Sequence, residues 1–388
     1  MNKTRFSRLG AVVALAGGFL GVGISAVPAS AVPQHQVFVG SCGHGGYPTI
    51  TAAVNAVAPG GIVHVCPGTY VEDVTVNQPV TIQGFDATVA PDPSDSSRLT
   101  ASTGQNNGFT VLSPGVTISG FTVTGATGDG ILVLGDHALI EGNTVLDNGL
   151  SASAPPGNGI NLDGSSYSTV RHNTVSGSGN GGIQLANDPD AAGITSQGVT
   201  GTATHDVVVG NDVVENPYAC GILLVDHAGS SGVWPDTKGI YDNVIQGNVV
   251  LNNAIKGYGA GILLATGAPG GAVYDNVVSG NEVAGNGLAG LTLHSHLSGQ
   301  DLNGNVIVGN DFGTNNLKGL YEEPSDPQTT GVFVGSKDPL TITVQDNTIH
   351  DDYYGVFTAG PSVTVDGLST NTFTNVTTSS GSTPVYIG

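Results

Sequence analysis

Basic side chains are scarce: nine Lys and Arg stand against 30 Asp and Glu in 388 residues, a formal charge of −21. Such a chain repels polyanions, which excludes nucleic acid and anionic membrane as partners. Met (one), Trp (one) and Cys (three) are also few, and a chain so poor in soft sulfur ligands is ill suited to soft-metal delivery. Charged residues make up only 10% of the chain and apolar residues 39%. That rules out a disordered acidic tail and leaves enough apolar surface for a large core. Glycine is abundant, at 61 residues beside 20 Pro. Together these are about 21% of the chain against a background of about 12%, which argues against a helix bundle.

Long apolar runs are few as well. The exception extends from Leu9 to about Val27, behind Lys3, Arg5 and Arg8, and ends at Ala29-Ser30-Ala31. This is the layout of a secretory signal peptide with an A-x-A cleavage site. Removal of residues 1–31 leaves 30 acids against six bases, a formal charge of about −24 on the single domain 32–388, with no membrane contact expected after cleavage. Export permits disulfides. Cys42 and Cys66, 24 residues apart, are expected to pair, and Cys220, beside Gly221-Ile222-Leu223-Leu224, reads as a small buried hydrophobe.

A repeat runs through the chain. One half is Gly-apolar-x-apolar, as at Gly159-Ile160, Gly182-Ile183, Gly221-Ile222, Gly261-Ile262, Gly290-Leu291 and Gly331-Val332. The other is Asn-x-apolar, often with a second Asn soon after, as at Asn173-Thr-Val175, Asn211-Asp-Val213, Asn248-Val-Val250 and Asn281-Glu-Val283. The shortest steps are 23 and 24 residues and the longest approach 40, so the unit is about 23 residues and the excess is insertion. Apolar and polar positions alternate within a unit, with Gly or Asn where the chain must turn through positive φ. Three short strands per unit, each pairing in parallel with its copy one coil away, make a parallel β-helix. Asn recurring at one place would stack into a side-chain ladder.

The stretch Tyr47-Pro-Thr-Ile-Thr-Ala-Ala-Val54, Pro59-Gly60-Gly61-Ile62-Val63-His64-Val65 and Pro67-Gly68-Thr69-Tyr70 resembles the cap and first coil of right-handed parallel β-helix proteins of the pectin-lyase-like superfamily. The later Asn-x-Val and Gly-Ile repeats are similar to those of the same superfamily, including its NosD-like branch. The likeness covers residues 42–375. It implies an all-β, right-handed solenoid, and little about function, because the superfamily includes lyases, hydrolases, epimerases, tailspikes and non-enzymes. Thr51–Ala58, with Ala52, Ala53, Val54 and Val57 at helical spacing, is expected to cap the N-terminal end. The cap and first coil take 32–70, the coils 71–369, and 370–388 closes or frays from the last coil.

In the Gly-Ile strand, residues one and three after Gly point inward and those two and four after it point out. Stacking then places Asp163, Ala186, Val225, Ala265 and His294 in one outward column, with Asp136, His137, Asp188, Asp226, His227 and His296 just beyond. Insertions at 186–204, 226–240 and 294–304 follow this stripe, and those at 147–158, 251–260 and 311–330 precede it, which gives a groove suited to a polymer. Trp234, Tyr258 and Tyr321 in these loops offer flat faces to sugar rings. His294 and His296, with Asp301 nearby and Asp226-His227 on an earlier coil, are the candidate acid–base group. Arg171 and Lys256 are candidate partners for a substrate carboxylate, and Asp163 and Asp188 candidate contacts. Glu322-Glu323 and Asp351-Asp352 read as solvated. Cys42-Gly43-His44-Gly45 resembles the Gly-His-Gly of polygalacturonases, but the accompanying Asn-x-Asp, Asp-Asp and Arg-x-Lys are not in place, so that match is rejected.

The expected function is a secreted carbohydrate-active protein that binds a polysaccharide along the groove and cleaves or epimerises it. A uronate substrate would need a cation for its carboxylate, a base for the C5 proton and an acid for the leaving oxygen. A neutral glycan would need paired carboxylates. No cofactor is required, although outward aspartates suit Ca²⁺. The alternatives are a non-catalytic surface or adhesion module and a NosD-like metal-handling protein. Oligomeric state stays open.

Overall fold

The computed structural model describes residues 34–43, 45–92, 105–150, 156–188, 201–231, 237–316 and 328–384. Residues 1–31, His44, Trp234, Tyr321 and Glu322-Glu323 therefore lie outside the described residues. The chain winds as a parallel β-helix. Each full coil contains one strand of an eleven-stranded sheet, from Val74–Val76 to Thr378–Thr383, here called the Gly-Ile sheet. It then makes two three-residue strands of the x-Val-x type, for example Val244–Gln246 and Val249–Leu251. Three coils add a further two-residue strand after the Gly-Ile strand: Ala203–Thr204, Ile240–Tyr241 and Val273–Tyr274. Only the middle residue of each x-Val-x strand is buried. Those middle residues stack in register, Val170 through Val208, Ile245, Val278 and Ile307 to Val344, into one apolar core.

The turns hold the coils together. Asn occupies every fifth position, at 243, 248 and 253, then 276, 281 and 286, then 305, 310 and 315. The residue before each is often left-handed, as at Gly247 (φ 61°) and Asn252 (φ 56°). That conformation turns the chain sharply and aims the next side chain inward. The amides then bond from coil to coil. Asn248 Oδ1 accepts from the backbone N–H (2.9 Å) and Nδ2 (3.0 Å) of Asn211. Asn248 in turn donates from Nδ2 to Asn281 Oδ1 (2.9 Å) and to the Val208 carbonyl (2.9 Å). The middle file runs unbroken through Asn143, Asn173, Asn211, Asn248, Asn281, Asn310, Asn347 and Asn371. The third file ends at a carboxylate: Asp352, expected to be solvated, is buried and accepts from Asn315 N–H at 3.1 Å.

The spacing of five between files does not vary, so the excess length can only enter on either side of the Gly-Ile strand. From Asn253 to Gly261 is eight residues and from Asn286 to Gly290 four, whereas from Ile183 to Asp206 is 23.

Two further expectations need correction. The Gly that opens each Gly-Ile strand is needed for close approach and not for positive φ. A Cβ on Gly221 would lie 2.5 Å from Val250 Cγ1 and 2.8 Å from Asn253 Nδ2. The capping helix spans Ile50–Ala56 and buries Ile50, Ala53 and Val54. It starts earlier than expected because Thr49 caps Ala52 N–H (3.1 Å) and Glu72 accepts from the N–H of Ile50 (2.6 Å) and Thr51 (3.2 Å). Val57 and Ala58 already belong to the strand Val57–Val65. Cys42 and Cys66 form a disulfide beside this cap. Cys220 is a buried thiol whose sulfur accepts from Ala260 N–H at 3.2 Å. Past Thr370 the chain completes another coil, Thr372–Thr374 pairing with Thr348–His350 and Thr378–Thr383 with Tyr354–Ala359. A cavity of about 290 Å³ lined by Val363, Val365 and Leu368 lies at that end.

The first file contains an acid. Asp206 stands where the next coils have Asn243 and Asn276, and its Oδ1 accepts from Ser168 N–H at 2.7 Å. Its Oδ2 is buried with no hydrogen-bond partner among the described residues. Burial, opposed by the Ser168 N–H and reinforced by the charge of Asp136, holds its pKa well above that of an ordinary Asp. A group whose folded pKa is raised gives stability that is full below the unfolded value, near 3.8, and is lost as pH rises through the folded value. Asp206→Asn is therefore expected to raise the melting temperature at pH 7, where the acid is costly, and to make little difference near pH 3. Urea denaturation of both proteins across pH 3–8 reads the convergence. Asn248→Ala, which strands the Asn211 amide and the Val208 carbonyl, is expected to cost about 2–5 kcal/mol by the same measurement.

Candidate functional site

The outward columns of the Gly-Ile sheet form as expected. Register pairs Asp163 with Ala186, Ala186 with Val225, Val225 with Ala265, Ala265 with His294 and His294 with Gly335. The neighbouring column runs Asn161, Gln184, Leu223, Leu263, Thr292, Phe333, Phe357. Direction is not exposure, however: Asp163 is 3% exposed, Gln184 2% and His294 1%. Nor is one column one centre, because four coil steps of about 4.8 Å put Asp163 roughly 19 Å from His294. The chemistry divides into two groups.

The first lies over the earlier coils. Asp129, just before Gly130-Ile131, accepts from Asn158 N–H (2.7 Å), Asn158 Nδ2 (3.2 Å) and Asn161 Nδ2 (3.2 Å). Burial pushes its pKa up to about 6 against the help of those hydrogen bonds, and the charge of Asp188 adds to the rise. One strand on, Gln184 Nε2 donates to Asp188 Oδ2 (3.0 Å), and Asp188 N–H donates to Asp163 Oδ1 (2.6 Å). The His227 ring, partly exposed, pairs through Nδ1 with Asp188 Oδ1. Its burial opposes the charged ring, but the hydrogen bond and charge of Asp188, with the charge of Asp226, outweigh that and raise its pKa. An imidazole oriented by a carboxylate, a pair suited to general acid–base work, thus lies on the same face as a carboxyl with a raised pKa three coils before it.

Asp226 does not take part in this chemistry. Its Oδ1 accepts from the N–H of Ala228 (3.0 Å) and Gly229 (2.8 Å) and from Asn187 Nδ2 (2.9 Å), and its Oδ2 from Ala272 N–H (2.8 Å). A buried carboxylate saturated by four donors is a staple between coils.

The second group is the imidazole pair. The rings of His294 and His296 meet edge to face with centroids 4.5 Å apart. Burial, with His296 next to it, pushes His294 down to about 3, so the ring is neutral near pH 7 and supplies no proton. His296 is half-buried and also lowered, first by burial and then by Lys337 and His227. Asp301, expected to orient one of these rings, is exposed and holds Asn303 instead, accepting from its N–H (3.0 Å) and Nδ2 (2.8 Å).

The remaining candidates separate. Arg171 lies on an x-Val-x strand and donates from Nε to Glu141 Oε2 of the adjacent coil at 2.8 Å. It is a part-exposed ion pair off the Gly-Ile sheet, of a kind worth little to stability. Lys256 and Tyr258 are exposed, on the upstream edge of the Gly-Ile sheet. Reading the sequence missed Asp129, Asn158, Asn161 and Gln184. Asn161 and Gln184 occupy the position two after Gly, which parity already marked as outward. Asp129 precedes its Gly, outside the alternation that starts there. Among the described residues, no group of three or more His, Cys, Asp or Glu is arranged to hold a metal ion, and no helix is long and apolar enough to cross a membrane.

Residues 94–312 match the right-handed β-helix region family; the chain belongs to that family, and its fold is the pectin-lyase-like parallel β-helix. No curated protein matches the sequence to significance. Among solved structures, the A-module of the mannuronan C-5 epimerase AlgE4 from Azotobacter vinelandii aligns with TM-score 0.56 and 15% identity over 86% of this chain and 94% of its own. An alginate lyase from Paenibacillus sp. aligns with TM-score 0.52 and 17% identity over 87% and 95%. The Dettilon tailspike protein aligns with TM-score 0.51 and 15% identity over 88% and 68%. At these identities the likeness is one of fold.

Nuclear magnetic resonance titration of the histidines checks the electrostatics. His227 is expected to titrate above the ordinary value and to fall back in Asp188→Asn, while His294 shows no protonation until near pH 3. A His227 unaffected by that substitution would dissolve the pair.

Proposed function

We propose that the chain is an exported carbohydrate-active protein that binds a polysaccharide across the outward face of the Gly-Ile sheet and acts on it by general acid–base catalysis. The observation that carries this reading is the Asp188–His227 pair, backed by Asp163, with His227 raised and with Asp129, near pH 6, on the same face three coils before it. The neutral form of His227, oriented by Asp188, takes a proton from the sugar, and the imidazolium that results, stabilised by the Asp188 carboxylate, returns it to the departing oxygen, while Asp129 contacts the polymer further along the same face. The fold neighbours named as an alginate lyase and a mannuronan C-5 epimerase support a polysaccharide as the substrate class. The signal-peptide-like layout of residues 1–31 and the Cys42–Cys66 disulfide support export.

Among the described residues no Lys or Arg joins this group, so a uronate substrate would bring its own counter-ion, and Ca²⁺ is the natural one for carboxylate oxygens. A screen of the purified protein against alginate, polygalacturonate and neutral glucans, with and without Ca²⁺, by reducing ends and by unsaturated-uronate absorbance, tests the proposal. Turnover of one class is expected, falling at least about 100-fold in His227→Ala and Asp188→Asn with melting temperature unchanged, and persisting in His296→Ala. Binding without product from any of them would make the chain a non-catalytic module.

A further inference from the structure

Among the described residues, nine large apolar side chains are exposed, and five of them, Leu150, Tyr218, Ile255, Tyr258 and Tyr353, fall in one place: the turn between the third Asn file and the Gly-Ile strand. They line the upstream edge of that sheet. Tyr218 is 47% exposed and Tyr258, on the next coil, 64%. Lys256 Nζ lies 5.9 Å from the centre of the Tyr218 ring. The backbone beneath is tightly stitched: Ala254 N–H donates to the Asn216 carbonyl (2.7 Å) and Lys256 N–H to the Pro217 carbonyl (2.8 Å). A Cβ on Gly257 would lie 2.0 Å from the Tyr218 carbonyl oxygen, so the two segments approach as closely as they do only because residue 257 has no side chain. Two exposed phenols and an ammonium are thus carried on a built support and not on a loose tip.

We propose that Tyr218, Ile255, Lys256 and Tyr258 form a second carbohydrate-binding surface, which holds a glycan chain and takes no part in the chemistry. For its ligand class it rests on the function proposed above. Tyrosine offers an apolar face and a hydroxyl at low entropic cost, and the ammonium adds donors, a set that matches the alternating C–H and O–H surface of a sugar ring. The acidity of the chain disfavours nucleic acid on the same patch. The surface is distinct from the Asp188–His227 group, because the whole strand Ile222–Asp226, about 16 Å of extended chain, separates the two edges. Linked sites of this kind raise the affinity for a long chain and leave a short one unaffected.

Native affinity electrophoresis in gels containing alginate, polygalacturonate or dextran tests the surface directly. Wild type is expected to be retarded by at least one of them, the double substitution Tyr218→Ala with Tyr258→Ala to weaken that retardation at least tenfold, and the corresponding Phe pair to retain it. Circular dichroism and melting temperature check that the variants are folded. Reading retardation beside turnover separates this surface from the catalytic reading: turnover with no effect of the tyrosines on retardation overturns only the surface, and tyrosine-dependent retardation with no turnover overturns only the enzyme. Absence of retardation by all three polymers, or a self-association in sedimentation that the tyrosine substitutions abolish, would also overturn the surface.

Discussion

The structure depends on one recurring interaction, the hydrogen bond from an asparagine amide to the asparagine one coil on. Each rung satisfies a backbone N–H, a side-chain amide and a carbonyl of the coil behind it, at a turn where three polar groups would otherwise be buried without partners. Because the rungs recur at every fifth residue, the strands between them hold only three residues, and only the middle one reaches the core. Valine and isoleucine fill that place because a β-branched chain packs well against its copy above and below.

This constraint also decides where function can reside. Two strands and three turns of each coil tolerate no change in length, so every insertion is confined to the flanks of the Gly-Ile strand. The Asp188–His227 pair and the tyrosine-bearing edge lie on those flanks, the pair downstream of the Gly-Ile strand and the tyrosines, like Asp129, upstream of it. An Asp can replace an Asn rung, as Asp206 and Asp352 do, but the substitution exchanges an amide donor for a carboxyl that must either keep its proton or find another donor.

The repeat was legible because its causes are local. Glycine before Ile and asparagine before x-Val are each required within one turn, and alternation alone brought Asp163 and His294 into one column. What alternation does not report is how much surrounds a side chain once it points outward. His294 faces away from the core and is still enclosed, with a ring that stays neutral. The role of Asp226 was hidden for a related reason: its four donors come from Asn187, Ala228, Gly229 and Ala272, on three coils, and no spacing within a single repeat announces them. Asp129 escapes the alternation because that pattern runs forward from Gly130. The capping helix was placed late because Glu72, which holds its first turn, lies some twenty residues downstream.

The asparagine files have a sense. From Asn143 onward every Nδ2 points to the next Oδ1 toward the C-terminus, beginning with Phe121 N–H on the first carbonyl and ending with Asn371 on the carbonyls of Val344 and Leu368. A coil inserted anywhere along the solenoid in the same orientation would find an acceptor on one side and a donor on the other, and a reversed one would set like against like. Tandem duplication is therefore the natural way for such a protein to lengthen, and its ends, where the alignment of amides stops, are the places that must be built separately.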